Sequence, residues 1–151
     1  MKIALAADHA GYPLKQHLLD YLGKQGYELI DLGVETDEVP ADYPDVAQTI
    51  ATAVLKGQAE RGILLCGSGV GASIAANKIP GIYAAVCHDT YSAHQGVEHD
   101  RMNVMCLGAR VVGPAMGEEL ADAFLRARIS EEERHARRFG KVQHIEKTSR
   151  P

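Results

Sequence analysis

The chain has 151 residues, of which 46% are hydrophobic and 24% are charged, with a formal net charge of −4. This balance is typical of one globular domain over residues 1–151, and the negative charge argues against binding to nucleic acid or to an anionic membrane. No apolar run is long enough to span a bilayer, and the short apolar start indicates a first strand rather than a signal peptide. Three cysteines without a framework spacing predict reduced thiols and a cytoplasmic protein.

Apolar runs alternate with helix-periodic segments along the chain. The sequence predicts strands at residues 3–7, 27–32, 63–66, 82–87 and 104–107. Between and after them, apolar residues recur at helical spacing around residues 13–22, 46–54, 72–78, 91–98 and 115–127. This alternation predicts an α/β fold, a three-layer α/β/α sandwich with a Rossmann-like, five-stranded parallel sheet. Ligands bind such sheets beyond the carboxyl ends of the strands.

The tail of the chain differs in composition. Ser130 and Glu133 form a capping-box pattern, which predicts an extra C-terminal helix over about residues 130–147. A narrow apolar stripe follows it, and cations crowd roughly the opposite face: Arg134, Arg137, Arg138 and Lys141. Like charges three and four positions apart on a helix repel one another. The cations form either a solvated face balanced by nearby glutamates or a site for an anion between Arg134 and Arg138.

The segment over residues 63–78 carries the strongest chemical signal. Its apolar run ends at Cys66, and alternate glycines follow before the next helix: Gly67, Gly69 and Gly71. Glycines let the backbone turn sharply close to a ligand, and free N–H groups at a helix start attract anions. The positive end of the helix dipole favours a thiolate. This turn therefore offers a base and an oxyanion holder, and Ser68 within it either caps the helix or relays protons between substrate oxygens.

Other hypotheses compete for these residues. The glycine spacing also fits a dinucleotide-binding fingerprint, with Asp89 where a carboxylate would bind ribose. However, the motif follows the third strand, and only two strands remain for a second nucleotide half. His94, His99 and Asp100 suggest a metal site, but the histidines are five residues apart and do not share a helix face. We favour a general acid at His99, with a surface histidine as the alternative.

Polar side chains also follow the first strand. Asp8 and His9 end that strand, and Asp42 and Tyr43 lie in the second loop. If the first and third strands are neighbours, Asp8 and His9 lie beside the glycine turn. We therefore expect them at the same edge of the sheet as Cys66, with Asp42 and Tyr43 within reach.

Several short motifs occur together over almost the whole chain, up to about residue 146: Asp8-His9-Ala10-Gly11, Asp42-Tyr43-Pro44, Cys66-Gly67-Ser68-Gly69-Val70-Gly71, Ala75-Ala76-Asn77-Lys78, His99, Asn103-Val104, Gly108-Ala109-Arg110, Arg134 and Arg138. In order and spacing they resemble the type B ribose-5-phosphate isomerases of the ribose/galactose isomerase family. The block that starts at Cys66 is the most specific, and the scattered acidic and basic motifs gain weight only in combination.

The resemblance implies interconversion of D-ribose 5-phosphate and D-ribulose 5-phosphate through a cis-enediolate, without a metal or organic cofactor. It makes the Cys66 thiolate the base and Ser68 the relay of the hydroxyl proton, and His99 would assist opening of the furanose ring. It also implies a set of substrate-binding residues: Asp8, His9, Tyr43, Gly67, Ser68, Gly69, Val70, Gly71, Asp100, Arg110, Arg134 and Arg138.

The resemblance further implies a homodimer or homotetramer with shared active sites. His99 and the C-terminal helix with its arginines would then come from the neighbouring subunit. Asp100 departs from the family, which commonly has His-Asn at this position, and a carboxylate accepts hydrogen bonds and adds negative charge near an anionic substrate. The alternatives are an isomerase of allose or galactose 6-phosphate or of a tetrose phosphate, and, in a different class, a noncatalytic nucleotide- or sugar-phosphate-binding module.

Overall fold

The computed structural model describes residues 1–149. Strands and helices follow one another in the order β1 Lys2–Ala7, α1 Tyr12–Lys24, β2 Glu28–Gly33, α2 Tyr43–Leu55, β3 Arg61–Cys66, α3 Val70–Ala76, β4 Ala84–Val86, α4 Thr90–Asp100, β5 Val104–Gly108, α5 Pro114–Arg126 and α6 Glu133–Thr148. The strands form one parallel sheet in the order β2-β1-β3-β5-β4. The predicted α/β class is confirmed, and β1 lies beside β3. Among residues 1–149, no helix is both long and apolar enough to cross a membrane.

Helices cover both faces of this sheet. On one face, Leu18 of α1 and Phe124 of α5 pack in a buried apolar cluster that includes Leu65 of β3. On the other, Ile50 of α2 packs in a second cluster that includes Cys66. Consecutive β3 residues therefore point into different layers, which explains why the whole strand is apolar. The predicted three-layer sandwich is confirmed.

The edge strand β4 is shorter than predicted, since it covers only Ala84–Val86 instead of residues 82–87. The N–H of Tyr83 donates to the side-chain oxygen of Asn103 at 2.8 Å, and the N–H of Ala84 donates to that of Asn77 at 2.9 Å. The amide of Asn103 thus satisfies a main-chain donor just before β4, and the amide of Asn77 satisfies one on the free edge of that strand.

The helix α6 is present, but the predicted capping box is wrong. The helix begins at Glu133 after Glu132, whose side chain makes no capping hydrogen bond. The N–H of Ser130 donates to the carbonyl of Glu98 at 2.9 Å, and its hydroxyl accepts from the N–H of Glu132 at 3.2 Å. Ser130 therefore stabilises the turn before the helix instead of the helix start.

Ring contacts and hydrogen bonds hold α6 against the rest of the chain. The buried ring of Phe139 packs edge-on against Tyr83 at 4.8 Å, and the Arg101 guanidinium lies 4.9 Å from its centroid. Further along α6, Glu146 accepts from the N–H of Gly81 at 3.0 Å and from the Tyr83 hydroxyl at 3.1 Å. These contacts fix α6 beside the end of α4.

Candidate active site

Cys66 ends β3 at the carboxyl edge of the sheet. Its side chain is only 5% exposed, yet it lines an open cavity of about 290 Å³. The N–H of Gly69 donates to its sulfur at 3.1 Å, and an amide at a helix start stabilises negative charge on its acceptor. The sulfur is therefore held at the start of α3, on a residue that lines the cavity.

The cavity is formed by residues from separate parts of the chain. Its lining consists of Asp8, Tyr43, Cys66, Gly67, Ser68, Gly71, Arg110 and Val111. All of these except Val111 are site residues predicted from the sequence. They meet because β1 and β5 are the two neighbours of β3, so the residues that follow these strands flank the glycine turn.

The turn between β3 and α3 depends on glycine. Gly69 has a φ of +80°, and a Cβ there would also lie 3.1 Å from the carbonyl carbon of Leu107. A Cβ at Gly108 would lie 2.6 Å from the Ser68 backbone, so β5 passes directly beside the turn. Helix α3 begins and ends two residues earlier than predicted, and the N–H of its first residue, Val70, donates to the Ser68 hydroxyl at 3.3 Å. Ser68 thus supports the helix start and also lines the cavity.

The two polar residues after β1 have different roles. Asp8 is 6% exposed, and its carboxylate accepts from the N–H of Gly11 at 3.0 Å, which fixes it in the cavity wall. His9 is next to Asp8 but is not part of the lining. Its Nδ1 accepts from the N–H of Ala41 at 3.1 Å, so a neutral His9 carries its proton on Nε2.

Tyr43 and Arg110 both form part of the cavity wall. The Tyr43 ring lies so close to Gly71 that a Cβ there would come within 2.8 Å of it. The Arg110 guanidinium covers Gly67, because a Cβ at Gly67 would lie 3.6 Å from the guanidinium carbon. The backbone N–H of Arg110 donates to the Gly67 carbonyl at 3.0 Å. Arg110 therefore brings a positive charge to the cavity, as an anionic group on a ligand requires.

Of the other predicted site residues, Gly69 and Val70 belong to the glycine turn without lining the cavity, and four more lie elsewhere: His99, Asp100, Arg134 and Arg138. Helix α4 starts after the carboxyl end of β4 and runs back to the amino end of β5, so His99 and Asp100 lie towards the edge of the sheet opposite Cys66. Helix α6 packs there, and its His135 ring stacks on His99 with 3.7 Å between centroids. Within one chain, the residues proposed for proton transfer are thus separated from those proposed for ring opening.

The histidines of α4 have partners of their own. Nδ1 of His94 lies 3.1 Å from a carboxylate oxygen of Glu98, and Nδ1 of His99 lies 2.8 Å from the amide nitrogen of Gln95. Among residues 1–149, no group of three or more His, Cys, Asp or Glu side chains could hold a metal ion. The hypothesis of a metal site at His94, His99 and Asp100 is therefore not supported by the geometry.

Asp89, the residue that a dinucleotide site would need, caps α4. One carboxylate oxygen accepts from the N–H of Ser92 at 2.7 Å and the other from its hydroxyl at 2.8 Å. These two hydrogen bonds, the backbone one first, lower the pKa of the Asp89 carboxyl. The carboxylate thus serves the helix start, which argues against the dinucleotide hypothesis.

Sequence reasoning missed three residues near the functional groups. His88 is the second residue after β4, and its Nε2 accepts from the N–H of Gly108 at 3.0 Å, behind the glycine turn. Its position directly after the strand predicted at residues 82–87 could have identified it. Gln95 and His135 contact His99, but no local pattern announces a contact between α4 and α6.

Comparison with known proteins places the chain in a family. The sequence model of the ribose/galactose isomerase family matches residues 3–142. Ribose-5-phosphate isomerase B of Escherichia coli (strain K12) is 43% identical over 145 residues, which are 96% of each chain. D-erythrulose-4-phosphate isomerase of Pectobacterium atrosepticum is 47% identical over 128 residues, which are 84% of each chain. The solved structure of Clostridium thermocellum ribose-5-phosphate isomerase B, 47% identical, has a TM-score of 0.94 and covers 99% of this chain and 100% of that chain. The chain therefore belongs to the ribose/galactose isomerase family, as its motifs predict.

Proposed function

We propose that this chain is an aldose–ketose isomerase that interconverts D-ribose 5-phosphate and D-ribulose 5-phosphate. The family and the relative from Escherichia coli support this activity. The observation that carries the proposal is Cys66, which lines an open cavity together with Asp8, Ser68 and Arg110. A thiolate in that position can reach the carbons of a bound sugar.

Cys66 acts as the base. In the open-chain aldose, its thiolate takes the proton from C2, the C–H electron pair forms a C1=C2 double bond, and the π electrons of the aldehyde move to O1. The thiol then returns the proton to C1. The ketone forms at C2 as the O2 proton passes to O1. In a cis-enediolate both carbons present the same face, so one sulfur serves both.

The glycine turn acts on the oxygens of the intermediate. Ser68 carries the proton from O2 to O1, since its hydroxyl both donates and accepts. Backbone N–H groups of the turn face the negative charge that develops on these oxygens, apart from those of Gly69 and Val70, which already donate to Cys66 and Ser68. One such donor contributes about 2.7–4 kcal/mol to transition-state stabilisation in other enzymes.

The phosphate is held away from the reacting carbons. Arg110 contributes one guanidinium, and Arg134 and Arg138 of a second subunit contribute two more. One guanidinium can donate to two phosphate oxygens at once. A phosphate fixed in this way positions C1 and C2 for proton transfer. Arg134 and Arg138 are exposed and lie one turn apart on α6, which supports a role in binding a group from outside their own chain.

His99 of the second subunit assists ring opening. The bond between C1 and the ring oxygen breaks, and its electron pair goes to that oxygen, which also gains a proton. The anomeric hydroxyl loses a proton, and water carries it between the two oxygens. His99 donates a hydrogen bond to the ring oxygen as its negative charge grows. Asp8, His9, Tyr43 and Asp100 contact the sugar hydroxyls around this path.

Replacement of Cys66 tests the base. Cys66→Ala should lower kcat by about 10²–10⁴-fold and leave the affinity for ribose 5-phosphate in place. Cys87→Ala is the matched control, because burial raises the pKa of that thiol to about 11 and it contacts Met102 instead of the cavity. Wild-type turnover in Cys66→Ala contradicts the thiolate mechanism.

Mixed oligomers test the shared site. Cys66→Ala and His99→Asn chains are each expected to be nearly inactive. In an equal mixture refolded together, half of the dimers are hybrids that contain one intact site, so about a quarter of the wild-type activity should return. No recovery contradicts the proposal that His99 reaches the cavity of a neighbouring chain.

A tetrose phosphate is the second candidate substrate. The relative from Pectobacterium atrosepticum, named D-erythrulose-4-phosphate isomerase, supports it. Asp100 adds a negative charge beside His99, which gives a reason to test substrates other than ribose 5-phosphate. Values of kcat/KM over a panel of aldose phosphates with four, five and six carbons decide between them. The proposed pentose substrate is wrong if erythrose 4-phosphate exceeds ribose 5-phosphate in that panel.

A further inference from the structure

The end of α4 contains a hydrogen bond whose direction is set by chemistry. The amide nitrogen of Gln95 lies 2.8 Å from Nδ1 of His99, one helical turn further along. An amide nitrogen carries two hydrogens and acts only as a donor. Nδ1 of His99 therefore holds a lone pair, and a neutral His99 carries its proton on Nε2. Among residues 1–149, Nε2 has no hydrogen-bond partner and is left as the donor for a ligand.

A ring stack adds a second constraint. The rings of His99 and His135, here called the histidine stack, lie 3.7 Å apart between centroids, with 30° between their planes. His135 is only 4% exposed, and its Nδ1 has no hydrogen-bond partner among residues 1–149. A buried and unpaired imidazolium is costly, and burial lowers the pKa of His135. His99 therefore rests on a neutral ring.

Charged groups from both helices surround the histidine stack. Arg134 and Arg138 on α6 oppose a further positive charge on His135, whereas Glu132 before that helix favours it. On α4, Glu98 pairs with His94, and Asp100 is exposed beside His99. Burial is the largest of the effects on His135 and, together with the two arginines, it disfavours the charged form of that ring.

We propose that Gln95 and His135 are positioning residues that hold the His99 ring with Nδ1 as an acceptor and Nε2–H as its outward donor. Gln95 selects the nitrogen that carries the proton, and His135 sets the plane of the ring. The inference rests on the proposed function, in which this Nε2–H donates to the ring oxygen of a sugar bound by the neighbouring chain. A donor that is already oriented loses less entropy on meeting its acceptor.

Helix α4 also contains a second histidine, His94, whose Nδ1 faces an acceptor instead of a donor. Nδ1 of His94 lies 3.1 Å from a carboxylate oxygen of Glu98, again one turn further along. An ionised carboxylate only accepts hydrogen bonds, so His94 carries a proton on Nδ1. His94 and His99 thus share a helix and a spacing but differ in the atom that their Nδ1 faces.

Long-range ¹H–¹⁵N NMR spectra of the whole chain read these tautomers without any substrate. At neutral pH we expect the proton on Nε2 of His99 and on Nδ1 of His94. Gln95→Leu removes the donor and should shift the His99 tautomer ratio towards Nδ1–H by roughly two- to tenfold. Gln95→Glu offers an acceptor and should make Nδ1–H the major form. The His94 signals should stay unchanged in both variants.

Two variants of His135 test the stack. His135→Phe keeps an aromatic ring beneath His99 and should preserve sharp ring signals, whereas His135→Ala should broaden or split them as the ring turns. The proposal is overturned if wild-type His99 carries its proton on Nδ1, if Gln95→Leu leaves the ratio unchanged, or if His135→Ala leaves the ring signals sharp. A chain with the expected spectrum but no turnover of any aldose phosphate supports the tautomer and refutes the proposed function, so the two failures are distinguishable.

Discussion

Lys15 is a fully buried cation, and its replacement tests how the second strand and the loop after it are held. The side chain leaves α1 and is 1% exposed. Its ammonium donates to the carbonyls of Leu32 at 2.9 Å and Val34 at 2.8 Å, and it lies 2.6 Å from a carboxylate oxygen of Asp31. Lys15 thus closes the end of β2, from which the chain continues towards Tyr43 in the cavity wall.

The expected magnitude follows from what Lys15→Met leaves behind. Two main-chain carbonyls lose their donor, and a buried group without a partner costs about 1–3 kcal/mol. The Asp31 carboxylate is half exposed and regains water, so it adds little. The partial burial of the carbonyls and the removal of a buried charge reduce the sum. We therefore expect the free energy of unfolding to fall by about 2–4 kcal/mol.

Lys24→Met is the matched control, because Lys24 lies on the same helix and pairs with Asp20 at 2.5 Å. That pair is exposed on both sides, so its loss costs less than about 0.5 kcal/mol. Urea unfolding at one protein concentration measures both variants, since the stability of an oligomer depends on concentration. The reasoning about Lys15 is refuted if both variants unfold at the same urea concentration with equal slopes.

Three further changes are expected to act as follows. Gly71→Ala pushes the Tyr43 ring out of the cavity wall and should lower kcat/KM roughly tenfold or more. The added Cβ of the control Gly140→Ala meets nothing within 4 Å and should leave kcat/KM unchanged. Equal kcat/KM in the two variants contradicts this reasoning. Burial lowers the pKa of His135, so protonation of this residue favours the unfolded chain. The free energy of unfolding should therefore be constant above about pH 6.5 and fall below it. Urea midpoints measured at several pH values should show a smaller fall for His135→Phe. Asp100→Asn removes a negative charge and should lower KM for aldose phosphates about two- to threefold; an unchanged KM means that Asp100 lies away from the bound phosphate sugar.

The fold class was predictable because each element displays its burial in its own sequence. The apolar run that ends at Cys66 indicates a strand covered on both faces, and both clusters confirm it. The limits of β4 were not predictable, since they depend on the side-chain amide of Asn103, twenty residues after Tyr83. The start of α6 likewise depends on a bond from Ser130 to Glu98, which belongs to another helix.

The same distinction holds for the site. Cys66, Ser68 and the glycines are neighbours in the sequence, so their chemistry can be inferred from one turn. Lys15 resembles any polar residue of an amphipathic helix, and only the structure shows that its stem carries the ammonium inwards to the end of β2. Contacts that close over many residues leave no trace in a local pattern.

The short β4 has a consequence for how copies of this chain meet. A strand at the border of a sheet offers unpaired main-chain groups on which a foreign strand can grow, and such growth leads to aggregates. Here Asn77 binds to both the N–H and the carbonyl of Ala84, at 2.9 and 2.7 Å. The N–H and the carbonyl of Ala84, with which a foreign strand would pair, are thus already hydrogen-bonded. Association along this side of the molecule is therefore directed to helix surfaces, where register cannot slip as it does between strands.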